Sequence, residues 1–145
     1  MKKTQTYATH KRIVPGFHFL ASSLLFLGAI AAIVNIFRHP PYTGGFVSAV
    51  LLEVMFIAGL LLFWYARQFA LRAQDRAIRA EENLRHYVLT GKLLDARLSM
   101  AQTIALRFAP DEEFPELAGK AAVENMSSEE IKKAVVQWRA DHHRA

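Results

Sequence analysis

One carboxylate lies inside an otherwise uncharged apolar stretch of this 145-residue chain. Residues 46–65 contain Glu53 and no other Asp, Glu, Lys or Arg. An ionised carboxylate in hydrocarbon is costly, so an acid at such a position is a functional candidate. Three interpretations of Glu53 stay open: an ion or proton site in an oligomeric pore, a neutral carboxyl hydrogen-bonded in a helix interface, or an acid exposed to water near the membrane surface.

The rest of the sequence offers no pattern for catalysis or cofactor binding. It contains no cysteine, which excludes disulfides, thiol catalysis and cysteine-ligated metals. Residues 90–92 (Thr-Gly-Lys) lack the glycine-rich turn of a phosphate-binding loop, and no nucleophile elbow or zinc-protease motif occurs. Residues 141–143 (Asp-His-His) are adjacent in the chain, and adjacent side chains rarely converge on one ion. We therefore expect a protein that is not an enzyme and that has no cofactor and no metal site.

Two apolar runs are each long enough to cross a bilayer. Residues 17–37 carry no charged side chain, and residues 46–65 carry only Glu53. Because a helix rises about 1.5 Å per residue, about 20 residues cross a hydrocarbon core that is about 30 Å thick. The link 38–45 is short and rich in proline and glycine, which predicts an antiparallel transmembrane hairpin over residues 17–65.

A cleaved signal peptide is the alternative interpretation of the first run. Ala29, Ile30 and Ala31 resemble a small-residue cleavage site, and the basic residues before the run suit a secretory signal. The apolar run, however, continues to Phe37, which is too long for the core of a usual signal peptide. An uncleaved membrane anchor is therefore the preferred interpretation.

Charge is distributed unevenly about the two runs. The net charge of +5 arises largely from a basic arm, residues 1–16, which contains no acid. Basic residues flank both runs, so the positive-inside rule predicts both termini in the cytoplasm. The candidates for contact with lipid headgroups are Lys2, Lys3, Lys11, Arg12, Arg67 and Arg72. Residues 91–145 contain eight basic and nine acidic side chains, so nucleic acid is not an expected partner.

Small residues at helical spacing mark two candidate surfaces for helix packing. In the first run they are close to Asn35, a second intramembrane polar candidate, and in residues 66–90 they alternate at spacings of four and three. The candidates are Gly28, Ala32, Ala66, Ala70, Ala73, Ala77 and Ala80. Alanine is also the best helix former. Pairing of residues 66–90 with another copy, pairing with the chain's own head, and a solvent-facing helix all remain open.

The second span is expected to continue as one helix beyond the membrane. No glycine or proline occurs between Leu60 and Thr90, and Gly91 suits the position that follows a helix end. Pairs such as Glu81 and Arg85 have the spacing for ion pairs along that helix. The chain thus divides into an arm (1–16), a hairpin (17–65), a helix extension (66–90) and a head (91–145).

The head is predicted to contain about three short helices. The first carries an apolar stripe that ends at Pro110, the second begins at Asp111, and the third begins at a capping box of Ser127 and Glu130. The predicted stripes are Leu98, Ala101, Ile104, Ala105 and Phe108; Phe114, Leu117, Ala118 and Ala121; and Ile131, Ala134, Val135 and Trp138. A core this small is marginal alone, so the head should lean on the long helix, on lipid or on other copies.

Three stretches in order resemble a family of bacterial membrane proteins of unknown function. They are residues 70–82 (ALRAQDRAIRAEE), residues 104–113 (IALRFA followed by DEE), and residues 127–144, which begin SSEEIKKA and end WRADHHR. The resemblance covers nearly the whole chain. It implies a location in the bacterial inner membrane and a two-span hairpin with a helical tail, and it implies no activity.

These features predict an all-α membrane protein that acts as a non-enzymatic integral anchor or adaptor. Its partners would be the lipid bilayer and either further copies or an unidentified membrane or cytoplasmic protein. The interface would use the alanine seam with apolar residues such as Tyr87, Val88 and Phe108. The alternative is a subunit of an oligomeric channel or transporter, with Glu53 as its ion or proton site.

Overall fold

All regular structure in the described part of the chain is helical. The computed structural model describes Thr6, Tyr7 and residues 13–141. A π-helical turn, Gly16–Ala21, leads into α1, and no strand occurs among the described residues. The five α-helices are α1 Ser22–Arg38, α2 Phe46–Thr90, α3 Met100–Leu106, α4 Phe114–Glu124 and α5 Ser128–Ala134. The expectation of an all-α fold is confirmed for these residues.

The chain forms two compact units that divide within α2. The hairpin unit comprises residues 13–69, and the head unit comprises residues 70–141 together with Thr6 and Tyr7. The prediction that the second apolar run continues as one helix to Thr90 is confirmed, because α2 runs unbroken from Phe46 to Thr90. Gly91 then adopts a φ of +73°, and its N–H donates to the Tyr87 carbonyl at 2.8 Å. This left-handed glycine ends the helix as predicted.

Two of the described helices are long and apolar enough to cross a membrane, by length and composition. They are Gly16–Arg38, with a mean hydropathy of 2.2, and Phe46–Thr90, with 2.5 in its most apolar stretch. The turn between α1 and α2 depends on Gly45, whose φ is +100°. A side chain there would be strained, and its Cβ would lie 2.9 Å from the His39 ring. This close approach explains why glycine ends the link.

The head unit has a small apolar core of its own. Its largest fully buried side chains are Phe108, Phe114, Leu106, Ile131 and Thr103. Two capping boxes begin helices beside this core: Ser99 with Gln102 at α3, and Ser127 with Glu130 at α5. The second of these was predicted from the sequence and is confirmed. Trp138 is partly buried against the core, and its ring lies 4.6 Å from that of Phe108.

Three details of the predicted head are wrong. Ala101 and Ala134, placed in apolar stripes, are exposed, because α3 buries the side that carries Gln102, Thr103, Ala105 and Leu106, and α5 buries only Ile131. Phe108, expected to be available to a partner, is 1% exposed in the core. The helix expected from Asp111 begins instead at Phe114, because Pro110 first forms a turn whose carbonyl accepts from the N–H groups of Glu113 and Phe114.

Candidate functional site

Glu53 lies on the side of α2 that packs against α1. Its Oε2 atom is buried and has no hydrogen-bond partner among the described residues. Gly28 faces the Phe56 ring, and a Cβ on Gly59 would lie 3.1 Å from Leu25. This antiparallel register puts Glu53 level with Ala31. A carboxyl with a buried and unpartnered oxygen can hold a proton or accept a bond from a group supplied from outside.

Small residues allow the two helices of the hairpin unit to approach closely around Glu53. Ala32 is 1% exposed and Ala49 is 0% exposed. Gly28 leaves no room for a methyl group, because the Phe56 ring occupies the position that its Cβ would take. Asn35 lies nearer the end of α1, where its backbone carbonyl is 3.0 Å from His39 Nδ1. Asn35 is therefore level with Ala49 rather than with Glu53.

The basic residues proposed for lipid contact are described only in part. Lys2, Lys3, Lys11 and Arg12 lie outside the described residues, as do His142 and His143. The guanidinium of Arg67 lies 5.8 Å from the centre of the Phe17 ring, which itself stacks on Phe63 at 4.1 Å. Arg72 is exposed on the head part of α2.

The alanine seam of the head unit is uncovered. We call the positions Ala70, Ala73, Ala77, Ala80, Leu84 and Tyr87 the open face of α2, and all six are exposed. The head, residues 91–141, packs instead on the opposite side of α2, where Ile78 and Glu82 are 7% and 5% exposed. Ala66, the first residue of the predicted seam, lies in the hairpin unit and is also exposed.

Arg85 joins α2 to the head through charge. Its guanidinium donates to Glu82 at 2.9 Å, to Asp111 at 2.7 Å and to the Ala109 carbonyl at 2.8 Å. It also lies 4.3 Å from the centre of the Phe114 ring. The sequence predicted an ion pair with Glu81, which is wrong, because the fold of α3 and α4 brings other acceptors to Arg85. The Glu82 and Arg85 spacing of three is itself a helix-pair signal.

A second ionic group borders a cavity of about 350 Å³ in the head unit. Arg107 is 6% exposed, and its Nε lies 3.2 Å from an Asp141 carboxylate oxygen. Arg139 lies 3.8 Å from Glu82. The burial of these charges does not follow from the sequence, because charged side chains are exposed by default. Arg107 had one usable signal, since it interrupts the apolar run from Ile104 to Ala109.

The N-terminal arm contacts the last helix of the head unit. Tyr7 donates its hydroxyl hydrogen to Glu129 at 2.6 Å, and the Lys133 ammonium lies 5.7 Å from the Tyr7 ring centre. This hydrogen bond to a carboxylate raises the pKa of Tyr7 above its usual value. No sequence motif predicted the contact, because 122 residues separate its two partners.

Comparison with known proteins identifies a family and nothing more specific. A family model described as a family of unknown function (DUF6526) matches residues 1–145. No curated protein and no solved structure matches the chain. The described residues also contain no group of three or more His, Asp or Glu side chains placed to hold a metal ion.

Proposed function

The chain belongs to DUF6526, a family of unknown function, and we propose that it is a non-enzymatic anchor of the bacterial inner membrane. In this proposal the hairpin unit inserts into the bilayer, and the head unit binds a protein partner or another copy of the chain. One observation carries the proposal: the apolar side chains of the hairpin unit point outward, whereas those of the head unit are gathered into a core.

The exposure of the hairpin unit supports insertion into lipid. Only 11% of the apolar stretch of Gly16–Arg38 is buried, and 6% of that of Phe46–Thr90. Large side chains such as Phe26, Leu62 and Trp64 are each more than 60% exposed. Soluble monomers rarely expose contiguous apolar surface on this scale, whereas a membrane span must.

The charge pattern and the contact of Tyr7 support a cytoplasmic location for both ends. Basic residues precede α1 and follow the apolar part of α2, as the positive-inside rule requires. Tyr7 precedes the first span, and its partner Glu129 follows the second. A hydrogen bond between them requires both segments on one side of the membrane, which is what two crossings produce.

Labelling of single cysteines tests both insertion and topology. The chain has no native cysteine, so only the introduced thiol reacts. With Thr43→Cys in the link and Gly119→Cys in the head, a membrane-impermeant maleimide added to spheroplasts should label only Thr43→Cys. Inverted vesicles should give the opposite result. Release of the protein by alkaline carbonate, or labelling of both positions from one side, would contradict the proposal.

The open face of α2 supports the adaptor role of the head. Leu84 and Tyr87 are 63% and 54% exposed, although the head has its own core on the other side of the helix. Native mass spectrometry of the full chain in lipid particles from its own membrane would test this role. A defined oligomer or a co-purifying protein is expected. A monomer without partners in those particles would contradict the role.

A second candidate function is favoured by the buried Glu53 oxygen alone. Apolar surroundings and the lack of a described partner for Oε2 are what a proton or ion site in an oligomeric pore requires. Glu53→Gln should then change proton or ion flux in proteoliposomes, measured against the unaltered chain at equal protein content. Unchanged flux in an intact assembly would exclude this candidate and leave the anchor role standing.

A further inference from the structure

We propose that two copies of this chain pair in parallel and in register through the open face of α2, with Arg76 of each copy bonded to Glu81 of the other. The pairing rests on the proposed function, because copies inserted in one membrane with the same topology have their α2 helices running in the same direction. It adds the partner, the orientation and the specificity-determining residues to that function.

The open face has the spacing of a two-helix seam. Residues 70, 77 and 84 occupy the a positions of a heptad, and residues 73, 80 and 87 occupy the d positions. Every one of them is exposed, and each lies within the continuous helix α2. Side chains at a and d positions are those that a facing helix buries in a coiled coil.

The chain's own head leaves most of this seam free for a second copy. Ile78 and Glu82, which the head buries, occupy the b and f positions on the opposite side of the helix. Arg85, at a b position, bonds the loop residues Asp111 and Ala109 of that head. Ala77 and Glu81 border the cavity that Arg107 and Arg139 of the head also line, and both remain exposed. A copy can therefore approach the rest of the open face without displacing the head.

The seam contains large apolar side chains as well as alanines. Leu84 and Tyr87 lie in the seam, and Val88, at the adjoining e position, is 75% exposed. Alanines at positions 70–80 permit a close approach of two helices, and the larger side chains near the end of α2 supply apolar area. Burial of these side chains is available only to a partner outside this chain's head.

The charged residues beside the seam favour a second copy of this chain as its partner, and they favour a parallel orientation of the two helices. Arg76 occupies a g position, and Glu81 occupies the e position of the following heptad; both are exposed. In a parallel in-register pair each g residue faces the e residue five positions later in the other helix. Both resulting pairs join Arg76 to Glu81. An antiparallel pair instead sets g beside g and e beside e, so no ion pair between Arg76 and Glu81 can form.

Disulfide trapping of the full chain in lipid nanodiscs tests the register. We expect Ala73→Cys and Leu84→Cys each to form a disulfide with the same residue of a second copy under mild oxidation. The matched controls are Arg72→Cys and Gly119→Cys, which are exposed but lie off the seam, and neither should crosslink. An antiparallel pair can satisfy at most one of the two seam positions, because they lie eleven residues apart.

Charge exchange between copies tests the ion pairs separately from folding. Arg76→Glu and Glu81→Arg should each weaken self-association on the order of tenfold, because each replaces two attractive contacts with two repulsive ones. A mixture of the two variants should form heterodimers. In one contact the introduced carboxylate at position 76 faces the introduced guanidinium at position 81, and in the other the native Arg76 faces the native Glu81. A variant that merely fails to fold would not be rescued by mixing.

The outcomes separate this proposal from the anchor function on which it rests. If the chain is inserted and dimeric but neither seam cysteine crosslinks, the pairing lies elsewhere and the seam proposal is wrong, whereas the anchor function stands. A different protein bound over the open face would also overturn it. Failure of the chain to insert into lipid would instead remove the anchor function itself.

Discussion

The hairpin unit and the head unit place their large apolar side chains in opposite ways, outward in the first and in a core in the second. In the hairpin unit the residues fully buried between the helices are small, Ala32 and Ala49 among them, and the large apolar residues face outward. In the head unit Phe108 and Phe114 are 1% and 0% exposed. The first pattern is the one that the proposed insertion into lipid requires, whereas the second depends on the chain's own core.

The same helix takes part in both arrangements, and its side chains change along its length. From Phe46 to Phe69 nearly every position of α2 is apolar, so no side of the helix is distinguished. From Ala70 onward the helix carries charged residues, one side is covered by the head, and the open face is left bare. The continuous backbone of α2 therefore does not indicate what surrounds each part of the helix. The side chains indicate it.

The largest expected effect comes from removing a core ring of the head. Phe114→Ala should destabilise the head by about 3–5 kcal/mol, because the ring is fully buried against a small core. Denaturation of the full chain in lipid, followed by limited proteolysis at residues 91–141, would measure this loss. Phe26→Ala is the matched control, since Phe26 is 62% exposed in the hairpin unit and should leave the head unchanged. An equal effect of both variants would contradict the distinction between the units.

The next effect concerns the charge that joins α2 to the head. Arg85→Met should cost about 3 kcal/mol, because Glu82, with a side chain 7% exposed, loses its closest cation. The double variant Arg85→Met and Glu82→Met should recover much of that loss, since no buried charge is then left unpaired. The side chains that also lose a partner, Asp111 and Arg139, are 61% and 53% exposed. Chemical denaturation of the four chains in a double-mutant cycle measures the coupling. Additive effects would mean that the pair contributes nothing as a pair.

A smaller effect is expected in the hairpin unit. Gly28→Leu should cost about 1–3 kcal/mol by overpacking, because the Phe56 ring already occupies the space beside Gly28. Leu25→Cys with Gly59→Cys provides a reporter, since these residues face each other across the helices. Gly28→Leu should slow disulfide formation in that reporter. Gly16→Leu, where a Cβ meets no atom within 4 Å, should not, and equal rates would show that α1 and α2 do not pack tightly at Gly28.

Sequence predicted the features of the fold that depend on neighbours a few residues apart. The capping box of Ser127 and Glu130 and the end of α2 at Gly91 each involve hydrogen bonds within five residues. Glu113 shows where this reasoning stops. It immediately precedes α4, but its carboxylate makes no cap hydrogen bond there and instead accepts from the N–H groups of Val136 and Gln137. Such a contact exists only after α4 and α5 have packed.

Among the candidate sites too, some could be found from the sequence and others depend on the tertiary fold. Glu53 could be found from sequence because charge is absent around it, and its surroundings in the hairpin follow from an antiparallel register. Glu82 and Arg107 could not be distinguished from ordinary surface charges, since their burial depends on the path of residues 107–141 over α2. Exposure of the open face likewise follows from which side of α2 the head covers, and helical spacing alone does not decide that.

The smallest expected effect is a pH dependence confined to the head. The Ser127 N–H donates to Glu130 at 2.7 Å, and this bond lowers the pKa of Glu130 below its usual value. Its contribution to stability is therefore complete above the ordinary carboxyl pKa of about 4.5 and is lost as pH falls through the lower folded-state value. Glu130→Gln retains an acceptor for the Ser127 N–H but does not titrate.

Denaturation midpoints of the head between about pH 3 and 6 should thus fall less steeply in Glu130→Gln than in the unaltered chain. Insertion of the hairpin unit should be equal in both, since Glu130 belongs to the head unit. Identical pH profiles for the two heads would mean that the capping box does not hold the carboxylate in solution.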